Sequence, residues 1–404
     1  MADIKQEQLD FLGWEFGVFF HFGIRTFYEG HKDWDGKPMA LSAFDPAELD
    51  CEEWIRTVRE AGGKYAVLVC KHHDGFANWP SAYTEYSVKN TPWQQGQGDV
   101  VRQFTDACRK YDIRVGLYYS PAQFGSAQMS AKEYDDYFIN QIQELLCNYG
   151  RIDYLWFDGC GSEGHEYDTA RIVKEIRACQ PNILLFNMWD PDTRWVGNEA
   201  GVAHSPNYLT VDELDFSILT EKRDALTGAK FLPAECDCRM RLENWFYSDS
   251  DENTVKSVDE LMGLYYYSVG RGANLLLNIG PDRSGRLPKA DKSALLAFGK
   301  KIQALSQDFI PCEESYGDKK LTLSMELGLV NHVILGEELS DEEIEQFEIR
   351  VYPYPYGAPV TVYRGATVGH KAICPFPTIR TTKVEILFEK DKQVTAALKY
   401  LPYF

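Results

Sequence analysis

Apolar runs that end in polar residues alternate with segments of helical periodicity over the first three quarters of the chain. The pattern of buried strands occurs at residues 16–23, 65–73, 114–120, 152–161, 183–188, 231–238 and 273–281. Helices are predicted over residues 45–62, 99–111, 131–149, 167–179 and 258–269, with a last one ending near residue 305. Alternation of strand and helix requires right-handed crossovers, so this part of the chain is predicted to be α/β with a parallel sheet.

Polar and aromatic side chains finish several successive strands. They include His21 after the first strand, His72 and His73 after the second, and Trp156 and Asp158 in the fourth. An open doubly wound sheet concentrates its ligand groups at one switch point, whereas a barrel uses its whole carboxyl rim. We therefore predict a (β/α)8-like TIM barrel. About seven strands are recognisable, so the eighth is expected to be missing or irregular.

The pattern of hydrophobic residues changes beyond residue 309. Short alternating runs at residues 321–325, 330–335, 347–352, 360–363 and 384–388 are separated by turn residues. This pattern predicts an antiparallel β-sandwich. The expected domains are a catalytic barrel over residues 1–308 and a sandwich over residues 309–404.

Composition and charge narrow the class of protein. The 404 residues are 44% hydrophobic and 14% aromatic, and the formal net charge of −19 disfavours nucleic-acid and anionic-membrane partners. The amino terminus has no export-signal pattern and no run is long enough to span a bilayer, so a cytoplasmic location is expected. The cysteines, such as Cys147 in its apolar run, are then expected to be reduced, buried thiols. Homo-oligomerisation stays open.

The stretch 152–161 carries the first candidate catalytic group. Its apolar run ends in Asp158 and a glycine, and Trp156 shares the face of Asp158 because side chains alternate along a strand. An acid beside an indole at a strand tip suggests a sugar site. The plainer alternative is an aspartate that only starts a turn.

A retaining glycosidase needs a second carboxyl group about 5 Å from the first. Glu199 lies in a glycine-rich loop after the fifth strand, and Glu235 lies on or near the next strand. Both are acceptable on physical grounds, so the choice of acid/base stays open at this point.

The three histidines allow several interpretations. A metal site is disfavoured because His72 and His73 are adjacent on a strand and cannot both reach one ion unless the chain bends there. The single Cys236-x-Cys238 pair has no partner pair, so no zinc site is expected either. Neutral imidazoles suit hydrogen bonding to the hydroxyls of a sugar ring, and purely structural histidines are the alternative.

Five motifs together resemble the α-L-fucosidases of glycoside hydrolase family 29. They are His21-Phe-Gly, Lys71-His-His-Asp-Gly-Phe76 with Trp79-Pro-Ser81, Gly116-Leu-Tyr-Tyr-Ser120, Leu155-Trp-Phe-Asp-Gly159 and Asn274-Leu-Leu-Leu-Asn-Ile-Gly-Pro281. The likeness covers nearly the whole chain. Trp195-Val-Gly-Asn-Glu-Ala-Gly201 and Pro233-Ala-Glu-Cys-Asp237 further resemble the branch that prefers α-1,3 and α-1,4 linkages on branched glycans.

The resemblance implies a role for each matching residue. Asp158 matches the nucleophile and Glu199 matches the acid/base, and no cofactor is implied. Residues matching substrate-binding or neighbouring positions are His21, Asp33, Trp34, His72, His73, Tyr119, Trp156, Arg194, Glu235 and Trp245. Asp33-Trp34 stands where the family has Glu-Trp, and Arg239 stands where a small residue is usual. These departures put one sugar contact and the linkage preference in question.

The sequence thus predicts a retaining exo-α-L-fucosidase whose substrate is a fucosylated oligosaccharide or glycoconjugate. Two alternatives remain. Another retaining α-glycosidase, such as an α-galactosidase, could use the same carboxylates. A catalytically silent fucose-binding protein is disfavoured because both candidate carboxylates are present.

Overall fold

The computed structural model describes residues 4–122, 129–162, 164–215, 223–339 and 343–402. Ten described strands precede the carboxyl-terminal domain: β1 (Phe16–Phe20), β2 (Tyr65–Lys71), β3 (Arg114–Tyr119), β4 (Tyr154–Phe157), β5 (Leu184–Phe186), β6 (Arg194–Trp195), β7 (Thr210–Asp215), β8 (Arg223–Phe231), β9 (Ala234–Arg239) and β10 (Asn274–Ile279). The α-helices are α1 (Gln6–Leu12), α2 (Cys51–Glu60), α3 (Val100–Lys110), α4 (Ala131–Asn148), α5 (Thr169–Cys179), α6 (Val258–Tyr267) and α7 (Lys289–Leu305). Short 3₁₀ turns lie at Ile24–Phe27, Leu41–Ala43, Val88–Asn90, Trp93–Gly96 and Asp249–Thr254.

Eight strands form one parallel sheet in the order β5-β4-β3-β2-β1-β10-β9-β6. Its two ends meet, because Thr193, immediately before β6, bridges to Phe186 in β5. The backbone N–H of Asn187 donates to the Thr193 carbonyl at 3.0 Å, and the Thr193 N–H donates to the Leu185 carbonyl at 3.2 Å. The sheet therefore closes into a barrel, and the predicted TIM-like fold is confirmed.

The barrel is irregular between its fifth and seventh strands. β5 connects to β6 without an intervening helix, and β6 has two residues. The antiparallel hairpin β7–β8 takes the place of a helix between β6 and β9. The strand predicted over residues 231–238 is found as β9, but its predicted start is wrong. Phe231 ends β8, and Pro233, which has no N–H to continue a ladder, separates the two strands.

Most barrel helices begin at a side-chain cap. The carboxylates of Asp50, Asp99 and Asp168 each accept the backbone N–H three residues further on, and Ser130 and Ser257 form capping boxes. These caps end each incoming loop and fix where the helix starts. No helix in the described part of the chain is both long and apolar enough to cross a bilayer.

Aromatic side chains fill the amino-terminal end of the barrel. Phe11 of α1 packs against Tyr154 with ring centroids 5.4 Å apart, and Trp14 packs against Tyr65 at 5.3 Å. Tyr65 and Tyr154 are the first residues of β2 and β4, so they lie at the end of the barrel away from the carboxyl rim. We call these four side chains the aromatic floor. They close the barrel interior from below.

The carboxyl-terminal domain contains β11 (Glu313–Tyr316), β12 (Lys320–Glu337), β13 (Phe347–Pro353), β14 (Val360–Gly365), β15 (Ala372–Phe388) and β16 (Val394–Lys399). They form an antiparallel sheet in the order β11-β12-β15-β13-β14, with β16 paired to β12. This confirms the predicted antiparallel domain. The predicted boundary between residues 308 and 309 falls between α7 and β11. Contacts back to the barrel include the Ile373 N–H donating to the Gly270 carbonyl at 3.1 Å and Lys371 paired with Glu15 at 2.8 Å.

One expectation about the cysteines is wrong. Cys147 is exposed rather than buried, because it lies in the last turn of α4 on the solvent side. It forms a disulfide with Cys179 at the end of α5, with the two Cα atoms 5.7 Å apart. The disulfide links two neighbouring helices of the outer ring.

Two helical glycines give a test of how tightly this ring packs. A Cβ at Gly299 in α7 would lie 2.3 Å from the Ala61 carbonyl oxygen, whereas a Cβ at Gly263 in α6 would meet nothing within 4 Å. We expect Gly299→Ala to lower the free energy of unfolding by about 1–3 kcal/mol through overpacking. Gly263→Ala should be neutral or stabilising by up to about 1 kcal/mol. Urea denaturation of both variants measures this, and equal effects would contradict the described packing.

Candidate active site

A cavity of about 230 Å³ opens at the carboxyl ends of the barrel strands. Its volume lies below the range of drug-sized pockets and fits a single small ligand. It contains most of the residues predicted from sequence. The predicted residues that line it are His21, Asp33, Trp34, His72, His73, Trp156, Asp158, Glu199 and Trp245.

Asp158 follows β4 and is held by two donors. The Tyr118 hydroxyl donates to Oδ2 at 2.7 Å, and the Cys160 backbone N–H donates to Oδ1 at 2.8 Å. His73 Nε2 lies 3.5 Å from the same Oδ2. The side chain is 25% exposed, so the carboxylate is fixed in direction and still reaches the cavity.

Both His72 and His73 face the cavity because the chain bends where β2 ends. The register between β2 and β3 shifts after Val69, and the two imidazole centroids lie 4.2 Å apart. Because of this bend, the adjacent residues His72 and His73 both reach the same site. Ligand atoms of His72, His73 and Asp158 lie within 4.8 Å of one another, so the set has the residue types to hold a metal ion.

The three histidines are electrically neutral at neutral pH. Burial lowers the pKa of His21 to about 3, although a 2.7 Å hydrogen bond with Asn278 acts in the opposite direction. Burial also lowers the pKa of His72, and it lowers that of His73 despite the nearby Asp158. A neutral imidazole offers one donor and one acceptor, which suits hydroxyl groups better than it suits anions.

Four rings stack side by side around the rim, and we call them the aromatic column: His72, Tyr118, Trp156 and Phe186. The sheet register places Tyr118 beside Trp156, and Trp156 beside Phe186. The successive centroid distances are 5.6, 5.5 and 4.1 Å, with interplanar angles of 12°, 25° and 13°. The column forms the wall from which Asp158 projects.

Asp33 and Trp245, which also line the cavity, are joined by a hydrogen bond. The Trp245 backbone N–H donates to Asp33 Oδ2 at 2.5 Å. Burial raises the pKa of Asp33, and its Oδ1 is buried without a hydrogen-bond partner in the described residues. Trp34 is 51% exposed at the mouth of the cavity. Asp33 is therefore buried within the cavity lining, whereas the Trp34 indole is exposed to solvent at its mouth.

Glu199 reaches the cavity from the segment after β6. Burial raises the pKa of its carboxyl; Arg239 lowers it, and the negative charge of Asp158 raises it further. The pKa of Glu199 is thus raised in the cavity that also holds Asp158, whose carboxylate is anchored by two donors. Two carboxyl groups in one cavity, one stabilised as a proton donor and one held by hydrogen bonds, suit acid/base and nucleophilic chemistry.

Three predicted residues lie outside the cavity. Tyr119 is wrong as a wall residue: it points to the other face of β3, where its hydroxyl donates to Gln141 of α4 at 2.7 Å. Arg194 turns away and donates to Asn207 Oδ1 at 2.5 Å. Glu235 is 1% exposed and lies below the cavity.

The sequence reasoning missed Phe186, Trp195 and Asp237, and it chose Tyr119 where its neighbour Tyr118 lines the cavity. Strand alternation would have found Asp237, since it is two residues after Glu235 on β9. Its Oδ1 accepts from Trp195 Nε1 at 2.7 Å, and burial raises its pKa. Alternation of side chains along β3 likewise places Tyr118 and Tyr119 on opposite faces of the strand.

A carboxylate pair on the rim of a closed barrel, surrounded by neutral hydrogen-bonding groups and indoles, is the arrangement of a glycoside hydrolase. Residues 37–306 match the family model described as alpha-L-fucosidase. Alpha-L-fucosidase 1 of Arabidopsis thaliana is 34% identical over 300 residues, which cover 71% of this chain and 58% of that protein. Human tissue alpha-L-fucosidase is 25% identical over 324 residues, covering 71% and 65% of the two chains.

A crystal structure of a glycoside hydrolase 29 family member from an unknown rumen bacterium superposes with a TM-score of 0.89. The two share 30% sequence identity, and the match covers 99% of this chain and 78% of that one. The chain therefore belongs to the alpha-L-fucosidase family. It spans less than two thirds of the length of the Arabidopsis relative.

The neutrality of His21 gives a prediction for pH dependence. Its pKa of about 3 in the folded protein means that the ring stays neutral from about pH 4.5 to 8. We expect its two ring-nitrogen NMR shifts to stay constant over that range, with assignment by comparison with His21→Gln. The urea-unfolded protein is the control and should titrate near pH 6.5. A folded-state midpoint between pH 5 and 7 would contradict the described burial.

Proposed function

We propose that the chain is a retaining exo-α-L-fucosidase that removes terminal α-L-fucosyl groups from branched glycans. One observation carries the proposal: Asp158 and Glu199 line the same small cavity, among three neutral histidines and aromatic walls. Membership of the alpha-L-fucosidase family supports fucose as the sugar. The small volume of the cavity, about 230 Å³, supports an exo mode, because it fits one terminal sugar rather than a stretch of a glycan chain.

In the proposed mechanism Asp158 attacks the anomeric carbon while Glu199 protonates the leaving oxygen. The Tyr118 hydroxyl and the Cys160 N–H hold the attacking carboxylate in one orientation. Burial raises the pKa of Glu199, which favours the acid needed in the first step. Once it has given up this proton, the Glu199 carboxylate activates the water that releases the sugar.

Sugar recognition is assigned to polar side chains that line the cavity and have an atom without a hydrogen bond. His72 Nδ1 and Asp33 Oδ1 are both buried and have no hydrogen-bond partner among the described residues. Buried polar atoms in native proteins are normally satisfied, so we assign His72 Nδ1 to a ligand hydroxyl. Asp33 Oδ1 lies 3.6 Å from His31 Nδ1, and a ligand hydroxyl would share it with that ring. His21 and Trp245 lie beside each other in the cavity lining, with ring centroids 5.0 Å apart.

A preference for α-1,3 and α-1,4 linkages is the finer part of the proposal. It rests on the sequence motifs around Glu199 and Glu235. Arg239 packs over the Trp245 ring at 5.5 Å and donates to the Glu243 carbonyl at 2.7 Å, beside the cavity. The charge of Arg239 also lowers the pKa of Glu199, so a change at this position acts beside the proposed acid/base. Hydrolysis of isomeric fucosyl disaccharides measures the preference directly.

Replacing the two carboxyl groups tests the mechanism. Asp158→Ala should lower kcat for an aryl α-L-fucoside by about 10⁴-fold or more, because the nucleophile is lost. Glu199→Ala should lower kcat by about 10²- to 10⁴-fold with poor leaving groups and far less with activated aryl groups, and azide should rescue it. Near wild-type rates for Asp158→Ala, or azide rescue at Glu235 instead, would overturn these roles.

Two further measurements address stereochemistry and the alternative functions. NMR of the first product should show α-L-fucose before mutarotation, and the β-anomer would exclude retention. A panel of aryl glycosides separates a fucosidase from an α-galactosidase. Fucose binding without turnover of any fucoside would favour a silent binding protein.

Adjacent tyrosines on β3 provide a matched pair. Tyr118→Phe removes a hydrogen bond to a charged acceptor worth about 2 kcal/mol, so kcat/KM should fall roughly 30-fold. Tyr119→Phe removes a hydroxyl of the same kind that points to Gln141 outside the cavity. It should leave kcat/KM within about twofold of wild type. If the Tyr119 variant is the impaired one, the assigned wall of the cavity is wrong.

A further inference from the structure

Glu235 is a buried carboxyl group that neither lines the cavity nor remains free to react. Three donors converge on it: Tyr65 OH to Oε2 at 2.7 Å, Trp156 Nε1 to Oε1 at 2.8 Å, and Tyr154 OH to Oε1 at 3.2 Å. The side chain is 1% exposed. Its oxygens are therefore occupied by protein donors, and it has no access to a substrate.

These bonds cross the barrel interior. Glu235 lies on β9, Tyr65 on β2, and Tyr154 with Trp156 on β4, which is not a sheet neighbour of β9. Tyr65 and Tyr154 belong to the aromatic floor, and Trp156 belongs to the aromatic column. Glu235 thus joins the closed end of the barrel to the wall of the catalytic cavity.

The bond to Trp156 fixes the centre of the aromatic column. Trp156 lies between Phe186, at a centroid distance of 4.1 Å, and Tyr118, at 5.5 Å. Stacking alone leaves a flat ring free to slide in its plane, whereas an N–H donated to a fixed acceptor sets its rotation. Tyr118 in turn donates to Asp158. The chain of contacts therefore runs from Glu235 through Trp156 and Tyr118 to Asp158.

We propose that Glu235 is a positioning residue that orients Trp156 and, through the aromatic column, holds the Tyr118 hydroxyl on Asp158. It is not the acid/base of the reaction. This inference rests on the proposed function, since it assigns Asp158 as the reacting group.

The conservative amide variant separates the two roles. The amide oxygen of Glu235→Gln can still accept from Trp156, and its NH₂ can donate to the Tyr65 hydroxyl, which also accepts. We expect Glu235→Gln to keep kcat/KM for an aryl α-L-fucoside within about fivefold of wild type, with both limbs of the pH profile in place. Glu235→Leu has a side chain of similar volume but without an acceptor, so its kcat/KM should be lower than wild type by about 10-fold or more.

Two variants give the controls. Trp156→Phe removes the donor of the Trp156–Glu235 hydrogen bond instead of its acceptor. Its kcat/KM should fall as far as that of Glu235→Leu, which keeps the test valid if Glu235→Leu folds poorly. Tyr65→Phe removes a donor to the same carboxylate without touching Trp156, so it should lower stability but keep kcat/KM within about threefold.

The Trp156 indole N–H resonance is a reading that does not depend on turnover. It should stay at low field in Glu235→Gln and move upfield in Glu235→Leu, even if the protein hydrolyses no fucoside. A loss of several orders of magnitude in Glu235→Gln that azide restores would overturn the proposal in favour of an acid/base role. Wild-type kcat/KM in both Glu235→Leu and Trp156→Phe would show that the bond positions nothing.

Discussion

Parallel pairing of the barrel strands is the constraint on which the site depends. Because the register sets Tyr118 beside Trp156 and Trp156 beside Phe186, three rings from three strands meet at one level of the rim. Asp158 follows two residues after Trp156, so it emerges from the same face. A slip of one residue in either pairing would turn these side chains outward toward the helices, and the cavity would lose its wall and its candidate nucleophile together.

Burial, more than pairing of charges, sets the electrical character of the cavity. It lowers the pKa values of His21, His72 and His73 and raises those of Asp33 and Glu199, so each of these groups is shifted toward its neutral form. In a chain with a net charge of −19, these groups around the cavity are thus shifted toward uncharged donors and acceptors. Such a lining suits a neutral sugar.

The barrel, the carboxyl-terminal domain and most of the cavity were predictable because hydrophobic periodicity marks each strand and its carboxyl end. The failures have local causes. Tyr118 and Tyr119 are chemically alike, and only the phase of alternation along β3 tells which one faces inward. β6 consists of Arg194 and Trp195, too short for any periodicity. The sequence around Glu235 resembles that around a reactive acid. Its three hydrogen-bond donors lie on other strands and are remote in sequence, so the sequence does not reveal them.

The aromatic floor has a consequence for how substrate enters the cavity and how products leave it. In the described part of the chain, Phe11, Trp14, Tyr65 and Tyr154 fill the far end of the barrel, so substrate, leaving group, water and sugar all pass through the opening at the rim. For the proposed reaction this imposes an order of passage: the leaving saccharide departs before water enters from the mouth, and released fucose must clear the opening before another glycan end is admitted. Free fucose should therefore compete with substrate for the empty enzyme.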